Sequence, residues 1–344
     1  MNNKNSILDN IKKETKSIDL KYQDITKDSY SYYKLDNTFI LFKSINNNIL
    51  YLIYATSNIS IILYNLIDNK KINEIKNAHK KYITNFRHYL DKQNNRDLII
   101  SISSIDNNIK LWNINNLEII YNFEWINKEG ELFSACFIND NYQIYIISSN
   151  SHLFNTEPMK VFSHKGKKIK EINDSNNNTF FIDIYYDKKY FKKYILTGNY
   201  GYVQSYDYEK NKIYKKYEEE FILWKKNDFC HIIIYETDII KLICSCKDSN
   251  IKIWDFHSAK LLNKIKIFDR LILGICIWEN DYLVAGCNDT NIKLIEIKSG
   301  ELIKSLKGHY KEVLNIKKII HPYYGECLIS QGYRNDYIKL WTKK

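Results

Sequence analysis

Asn108-Ile109-Lys110-Leu111-Trp112 is written three more times in this chain with small changes. The copies are Asn250-Ile251-Lys252-Ile253-Trp254, Asn291-Ile292-Lys293-Leu294-Ile295 and Tyr337-Ile338-Lys339-Leu340-Trp341. Each alternates apolar and polar side chains, the period of a half-buried β-strand. Their last residues are spaced 41 and 46 residues apart over the later three copies, and Trp112 precedes Trp254 by 142. Internal repetition at this spacing decides the fold before any single residue does.

Three periods fit in the long gap, so two weaker copies belong there. Met159-Lys160-Val161-Phe162 and Tyr202-Val203-Gln204-Ser205-Tyr206 fill it, and Ile59-Ser60-Ile61-Ile62-Leu63-Tyr64 adds one upstream. The series Tyr64, Trp112, Phe162, Tyr206, Trp254, Ile295, Trp341 then runs at intervals of 48, 50, 44, 48, 41 and 46 residues. Such a period is that of four-stranded propeller blades. The expectation is an all-β protein: a single seven-bladed β-propeller of four-stranded antiparallel blades over residues 29–344. The sequence ends at Lys344, three residues after Trp341, which leaves the last repeat three strands. An N-terminal strand should close it, because a ring protects its edges by pairing first and last strands. The segment Tyr32 to Asp36 is the expected donor, and residues 1–28, rich in Asn, Lys, Asp and Ser, read as a polar tail with one short apolar spacing at Ile7, Leu8 and Ile11.

At these residues the chain resembles the WD-repeat family. Trp254-Asp255 is the one intact Trp-Asp pair; the equivalents are Tyr64-Asn65, Trp112-Asn113, Phe162-Ser163, Tyr206-Asp207, Ile295-Glu296 and Trp341-Thr342. Gly308-His309 resembles the family's Gly-His element, as does Asn77-Ala78-His79, and a turn Asp six residues before the Trp slot recurs as Asp106, Asp248 and Asp289. The resemblance implies a hydrogen-bonded chain across each blade, from His through Ser or Thr and the turn Asp to the Trp ring nitrogen. Such networks help only when every member is satisfied. The Trp112 repeat can assemble His79, Ser103 or Ser104, Asp106 and Trp112; the last can use His309, Ser330, Asn335 or Asp336, and Trp341. The remaining repeats lack at least one member and rely on apolar packing. Buried polar groups that pair in this way are scaffold rather than catalysts.

Composition narrows the function classes. No apolar run approaches the length of a membrane span, and no signal-like stretch follows Met1. The expected location is the cytoplasm or nucleus. The seven cysteines, Cys136, Cys230, Cys244, Cys246, Cys276, Cys287 and Cys327, sit mostly inside apolar strand patterns as reduced thiols do, and Cys244 with Cys246 has no second ligand pair at zinc spacing. No metal or cofactor is expected. A net charge of +11 invites a nucleic-acid reading, yet only Arg87, Arg96, Arg270 and Arg334 are arginine, the residue favoured for bidentate phosphate and guanine contacts. The lysines are spread along every repeat and read as a solvated surface. Turns use Asn in place of Gly, as in Asn46-Asn47-Asn48 and Asn176-Asn177-Asn178. No phosphate-binding loop, dinucleotide glycine pattern, His-Glu-x-x-His or nucleophile elbow is present, and Ser151-His152 and Ser163-His164 are neighbours pointing to opposite strand faces.

The expectation is therefore a non-catalytic protein-interaction scaffold, a monomeric propeller that presents a face to partner proteins in a larger assembly. In resembling proteins the residue just before the turn Asp projects toward partners; here these are Ser57, Ile105, Asn155, Asn199, Lys247, Asn288 and Arg334, with Tyr82 and Tyr310 beside the two His positions. Alternatives are a ubiquitin-ligase substrate receptor, for which resembling proteins often carry a basic residue two positions past the Trp-Asp pair where His257 stands here, and a ribonucleoprotein or nucleic-acid-associated component.

Overall fold

The computed structural model describes residues 20–26, 38–123, 131–151, 158–173, 175, 179–199, 201–218, 229–246, 248–266, 271–279, 281–334 and 336–343. These residues form seven four-stranded antiparallel sheets and no helix. From the axis outward, blade 1 holds Phe39–Lys43, Leu50–Ala55, Ile61–Asn65 and Lys70–Ile75, and blade 2 holds Asn85–Asp91, Arg96–Ser103, Asn108–Asn113 and Glu118–Phe123. Blade 3 is Glu131–Asp140, Gln143–Ser151, Lys160–Ser163 and Lys168–Glu171; blade 4 is Thr179–Asp187, Lys192–Asn199, Val203–Asp207 and Lys212–Tyr217. Blade 5 is Phe229–Glu236, Ile240–Cys246, Asn250–Asp255 and Leu261–Lys266; blade 6 is Ile272–Glu279, Tyr282–Cys287, Ile292–Glu296 and Leu302–Leu306. Blade 7 takes Val313–His321, Gly325–Gly332 and Ile338–Lys343 from the C-terminus and Leu20–Thr26 from the N-terminus.

The protein is a seven-bladed β-propeller closed by an N-terminal strand. That strand lies upstream of its expected position. Leu20–Thr26, read from sequence as part of the tail, is the outer strand of blade 7, while Tyr32 to Asp36 falls outside the described residues. Register chooses the donor: Tyr22 stands opposite Trp341, and the Asp24 carboxylate pairs with the buried ammonium of Lys339.

Seven apolar clusters hold the ring, each built from two neighbouring blades. One joins Ile53 and Leu63 of blade 1 to Phe86 and Ile99 of blade 2, and the last joins Leu52 and Tyr64 of blade 1 to Ile329 and Leu340 of blade 7. Blades 6 and 7 approach closest where Gly274 and Gly286 face the inner strand of blade 7: a Cβ on either would lie 2.8 Å from the carbonyl oxygen of Leu314 or Val313.

All seven residues of the aromatic series sit in third strands and are buried. Each opposes an aliphatic residue of its second strand: Leu52, Ile99, Ile146, Ile195, Leu242, Leu283 and Leu328. In blades 1 to 6 the pairing with the fourth strand shifts immediately before the series residue, as between Leu111 and Trp112 or Leu294 and Ile295. A bulge there re-aims the bulky side chain and adds local twist. Among the described residues, seven of the fifteen non-glycine residues in left-handed backbone are Asn, Asn48 and Asn107 among them, as the scarcity of glycine leads one to expect.

Candidate functional site

Antiparallel order gives the ring two working ends. The turns between second and third strands and the connections between blades share one end, here the turn face. The hairpins joining first to second and third to fourth strands share the other, the hairpin face.

On the turn face, blades 2 and 7 carry the hydrogen-bonded chains. In blade 7, His309 Nε2 lies 2.6 Å from Ser330 Oγ, which accepts from Trp341 Nε1 at 2.7 Å, while His309 Nδ1 is 2.9 Å from Asp336. The same carboxylate accepts from the backbone N–H groups of Tyr310 and Lys311 at 3.1 and 3.0 Å. Burial by itself would raise the Asp336 carboxyl, but the hydrogen bonds from His309 and the backbone hold it below the ordinary carboxylate value. Of the two acids and amides open at this turn, Asp336 is the partner; Asn335 lies outside the described residues. In blade 2 the hydroxyl at the centre is Ser101, 2.7 Å from His79 Nε2 and 2.8 Å from Trp112 Nε1. Neither Ser103 nor Ser104 holds that place. Only Ser101 stands opposite Lys110, on the strand face that Trp112 shares. Asp106 accepts from Lys80 N at 3.0 Å, but its oxygen is 3.6 Å from His79 Nδ1, beyond hydrogen-bond reach.

The hydroxyl position is Cys244 in blade 5 and Ala285 in blade 6, each opposite the repeat's lysine. Accordingly the Trp254 indole N–H has no acceptor. A second device replaces the chain in these blades. Lys252 and Lys293 are buried, and their ammonium groups reach the turn acids Asp248 at 3.5 Å and Asp289 at 2.9 Å. In blade 2 the equivalent Lys110 donates to Ala78 O at 2.6 Å, and in blade 7 Lys339 meets Asp24. The repeat's lysines, read from sequence as solvated, are thus internal fasteners of the blades.

The expected partner-facing residues fall into three groups. Ser57, Ile105, Tyr310 and Arg334 are exposed on the turn face of consecutive blades 7, 1 and 2; Tyr82 and Asn288 are half-buried there. Asn199 is buried, its Oδ1 accepting from Thr179 Oγ1 at 2.8 Å and its Nδ2 donating to Thr197 Oγ1 at 2.9 Å, so it fastens blade 4 and faces no partner. Asn155 and Lys247 lie outside the described residues.

Blade 7 gathers the densest set. The Arg334 guanidinium lies 5.0 Å from the Tyr333 ring centroid, and Lys339 Nζ lies 5.5 and 5.1 Å from the rings of Tyr310 and Tyr337. Arg334 is itself in left-handed backbone, φ 54°, a conformation that a long side chain adopts at a cost. In blades 2, 5 and 6 the left-handed residue follows the turn Asp, as Asn107, Ser249 and Thr290; in blade 7 it precedes Asp336. Arg334 precedes Asp336 by two residues, so the turn of blade 7 is built differently and its left-handed position carries an exposed long side chain.

The hairpin face was not anticipated. Tyr142, Tyr186, Tyr190, Phe191, Ile239, Ile320, Tyr323 and Tyr324 are all exposed there, and Tyr142 and Phe191 hold φ of 64° and 52°. Around the hairpins of blades 3 and 4 stand Lys165, Lys167, Lys168, Lys188, Lys189, Lys192, Lys193, Lys210 and Lys212. Burial and then the charge of Lys165 push the His164 imidazole below its usual value. The sequence signal was Tyr185-Tyr186-Asp187-Lys188-Lys189-Tyr190-Phe191-Lys192-Lys193, an aromatic and basic run at a hairpin tip.

Among the described residues no group of His, Cys, Asp and Glu could hold a metal ion, and no helix is long and apolar enough to cross a membrane. Cys136, Cys244, Cys246, Cys276, Cys287 and Cys327 are free thiols. Burial pushes Cys276 and Cys287 up to about 12, far from the thiolate form a nucleophile needs. Comparison with protein-family models and with curated proteins returned no match.

Proposed function

We propose that this chain is a WD-repeat propeller of the cytoplasm or nucleus that acts as a non-catalytic platform for partner proteins, with its working surface on the turn face of blades 7, 1 and 2. The observation that carries the reading is the Arg334 cluster. It sets an exposed guanidinium over the Tyr333 ring, and in the same blade Tyr310 and Tyr337 flank the buried Lys339 ammonium, on loops that a rigid ring positions; Arg and Tyr are the residue types that dominate binding energy at protein interfaces. The buried His, Ser, Asp and Trp groups are consumed in blade closure, which argues against an acid–base role for them. Replacing Arg334 by Ala should weaken a bound partner by more than about 1 kcal/mol and leave folding within about 0.5 kcal/mol of the parent. An unchanged affinity for the partner would move the interface elsewhere.

A second reading rests on the hairpin face of blades 3 and 4. Lysines interleaved with exposed Tyr142, Tyr190 and Phe191 suit a nucleic-acid strand, whose phosphates meet ammonium groups and whose bases stack on rings. Binding to mixed-sequence RNA that survives physiological salt would promote this reading; binding that vanishes at moderate salt would leave only dispersed charge.

A further inference from the structure

The inner strands carry a buried cation. Arg87, on the inner strand of blade 2, is nine-tenths buried. Its Nη1 donates to Asn85 Oδ1 at 2.7 Å and to Phe86 O at 3.2 Å. Its Nη2 donates to Ile182 O at 3.0 Å, on the inner strand of blade 4, and its Cζ stands 5.9 Å from the Phe181 ring. A side chain that leaves blade 2 and reaches blade 4 past blade 3 must run through the axial channel. Each acceptor it finds is neutral, an amide oxygen and two carbonyls, and no carboxylate pairs with it among the described residues.

Donors are left over at the same place. Arg87 Nε has no acceptor, nor has Nδ2 of Asn85, the residue that holds Nη1; both are buried. On the inner strand of blade 7, Asn315 Nδ2 is likewise without a partner. The electrostatics agree. His231 of blade 5 is held down to about 3 by burial, then by Lys317 of blade 7 and by Arg87, so positive charge from two sides of the ring reaches it. Cys136 of blade 3 feels Arg87 and Asp183 of blade 4. Arg87 is common to both effects, and no described carboxylate is paired with it. A buried charge without a counter-charge is strongly disfavoured, and buried donors are normally matched by acceptors.

We propose that the axial channel binds a small oxyanion or carboxylate, taken by Arg87 Nε–H and the Asn85 amide. One anion with more than one oxygen supplies both acceptors and the missing negative charge, and the guanidinium, already clamped by three hydrogen bonds, is ordered before the anion arrives. The surface platform plays no part in this site, so either can fail without the other.

Titration calorimetry of the full chain with inorganic phosphate, and separately with acetate, tests it. The expected result is saturable one-to-one binding of at least one of them, weakened at least tenfold in Arg87→Gln and in Asn85→Ala. Phosphate alone would assign a phosphoryl or inorganic oxyanion; acetate alone would assign a carboxylate, such as one carried by an inserted peptide. If Arg87→Gln does not fold, the parent supplies a second readout: saturating anion should raise the pH at which the His231 imidazole titrates by NMR, while half-buried His164 on the hairpin face of blade 3 does not follow. Neither anion binding saturably would show that the channel takes no anion, and equal binding by the parent and Asn85→Ala with no movement of His231 would place the anion elsewhere on the protein; either result overturns the proposal.

Discussion

His231 offers a stability measurement whose size follows from its place in the ring. Its Nδ1 accepts from Ile275 N at 3.2 Å, and it is buried between inner strands with Lys317 and Arg87 nearby, so the folded protein holds it neutral down to about pH 3. In the unfolded chain it charges near 6.5, its ordinary value. Between these values the unfolded state binds more protons, so the contribution is complete above 6.5 and is lost as pH falls, by about 1.4 kcal/mol per unit. At pH 5.0 the folded imidazole is still neutral, and the accumulated loss is about 2 kcal/mol relative to pH 7.5. Carboxylates such as Asp97, Asp106 and Asp336 are held below their ordinary values and add little at pH 5.0. Urea unfolding followed by tryptophan fluorescence at both pH values, on the parent and on His231→Asn, isolates the term, because Asn keeps an acceptor for Ile275 N. The parent should lose about 2 kcal/mol more than the variant over that interval. Parallel losses within about 0.5 kcal/mol would refute the buried neutral imidazole.

Ser330→Ala should cost about 1 to 3 kcal/mol in urea unfolding, since it strands the Trp341 indole N–H and breaks the His309 contact; Cys244→Ser, which gives the orphaned Trp254 N–H an acceptor, should be neutral or stabilise by up to about 1 kcal/mol, and a loss beyond that would contradict the equivalence of the two positions. Phe191→Gly relieves left-handed backbone at an exposed tip and should gain roughly 1 kcal/mol in the same assay; a loss would mean that the ring packs on something. A chain starting after Thr26 leaves the Ile338–Lys343 edge open and Lys339 without Asp24, so it should melt far below the parent and aggregate, whereas an unchanged melt would refute closure by Leu20–Thr26.

The blade count was legible because it rests on local alternation repeated at one period: every copy ends in a buried bulky residue, and even Ile295, which is not aromatic, keeps the slot. Relationships between distant strands were harder to read. Leu20–Thr26 and Tyr32–Asp36 both resemble strands, and what selects the first is a pairing of Asp24 with Lys339 across almost the whole chain. Ser103 and Ser104 lie nearest the turn, but the residue that matters is the one opposite Trp minus two, which needs the register of the hairpin and yields Ser101. The buried lysines did leave a signal, an acid four residues before the amine in Asp248 with Lys252 and in Asp289 with Lys293. Arg87 and His231 left none, since a strand residue that meets the axis looks like any polar interruption of an apolar strand.

The platform claim is tested most directly by quantitative affinity capture of bound proteins with the parent, with the turn-face variant Arg334→Ala/Tyr310→Ala, and with the hairpin-face variant Tyr142→Ala/Phe191→Ala, each first shown to melt like a folded ring. A partner retained by the parent and the hairpin-face variant and lost from the turn-face variant is the predicted result. A partner recovered equally by the parent and the turn-face variant would contradict it.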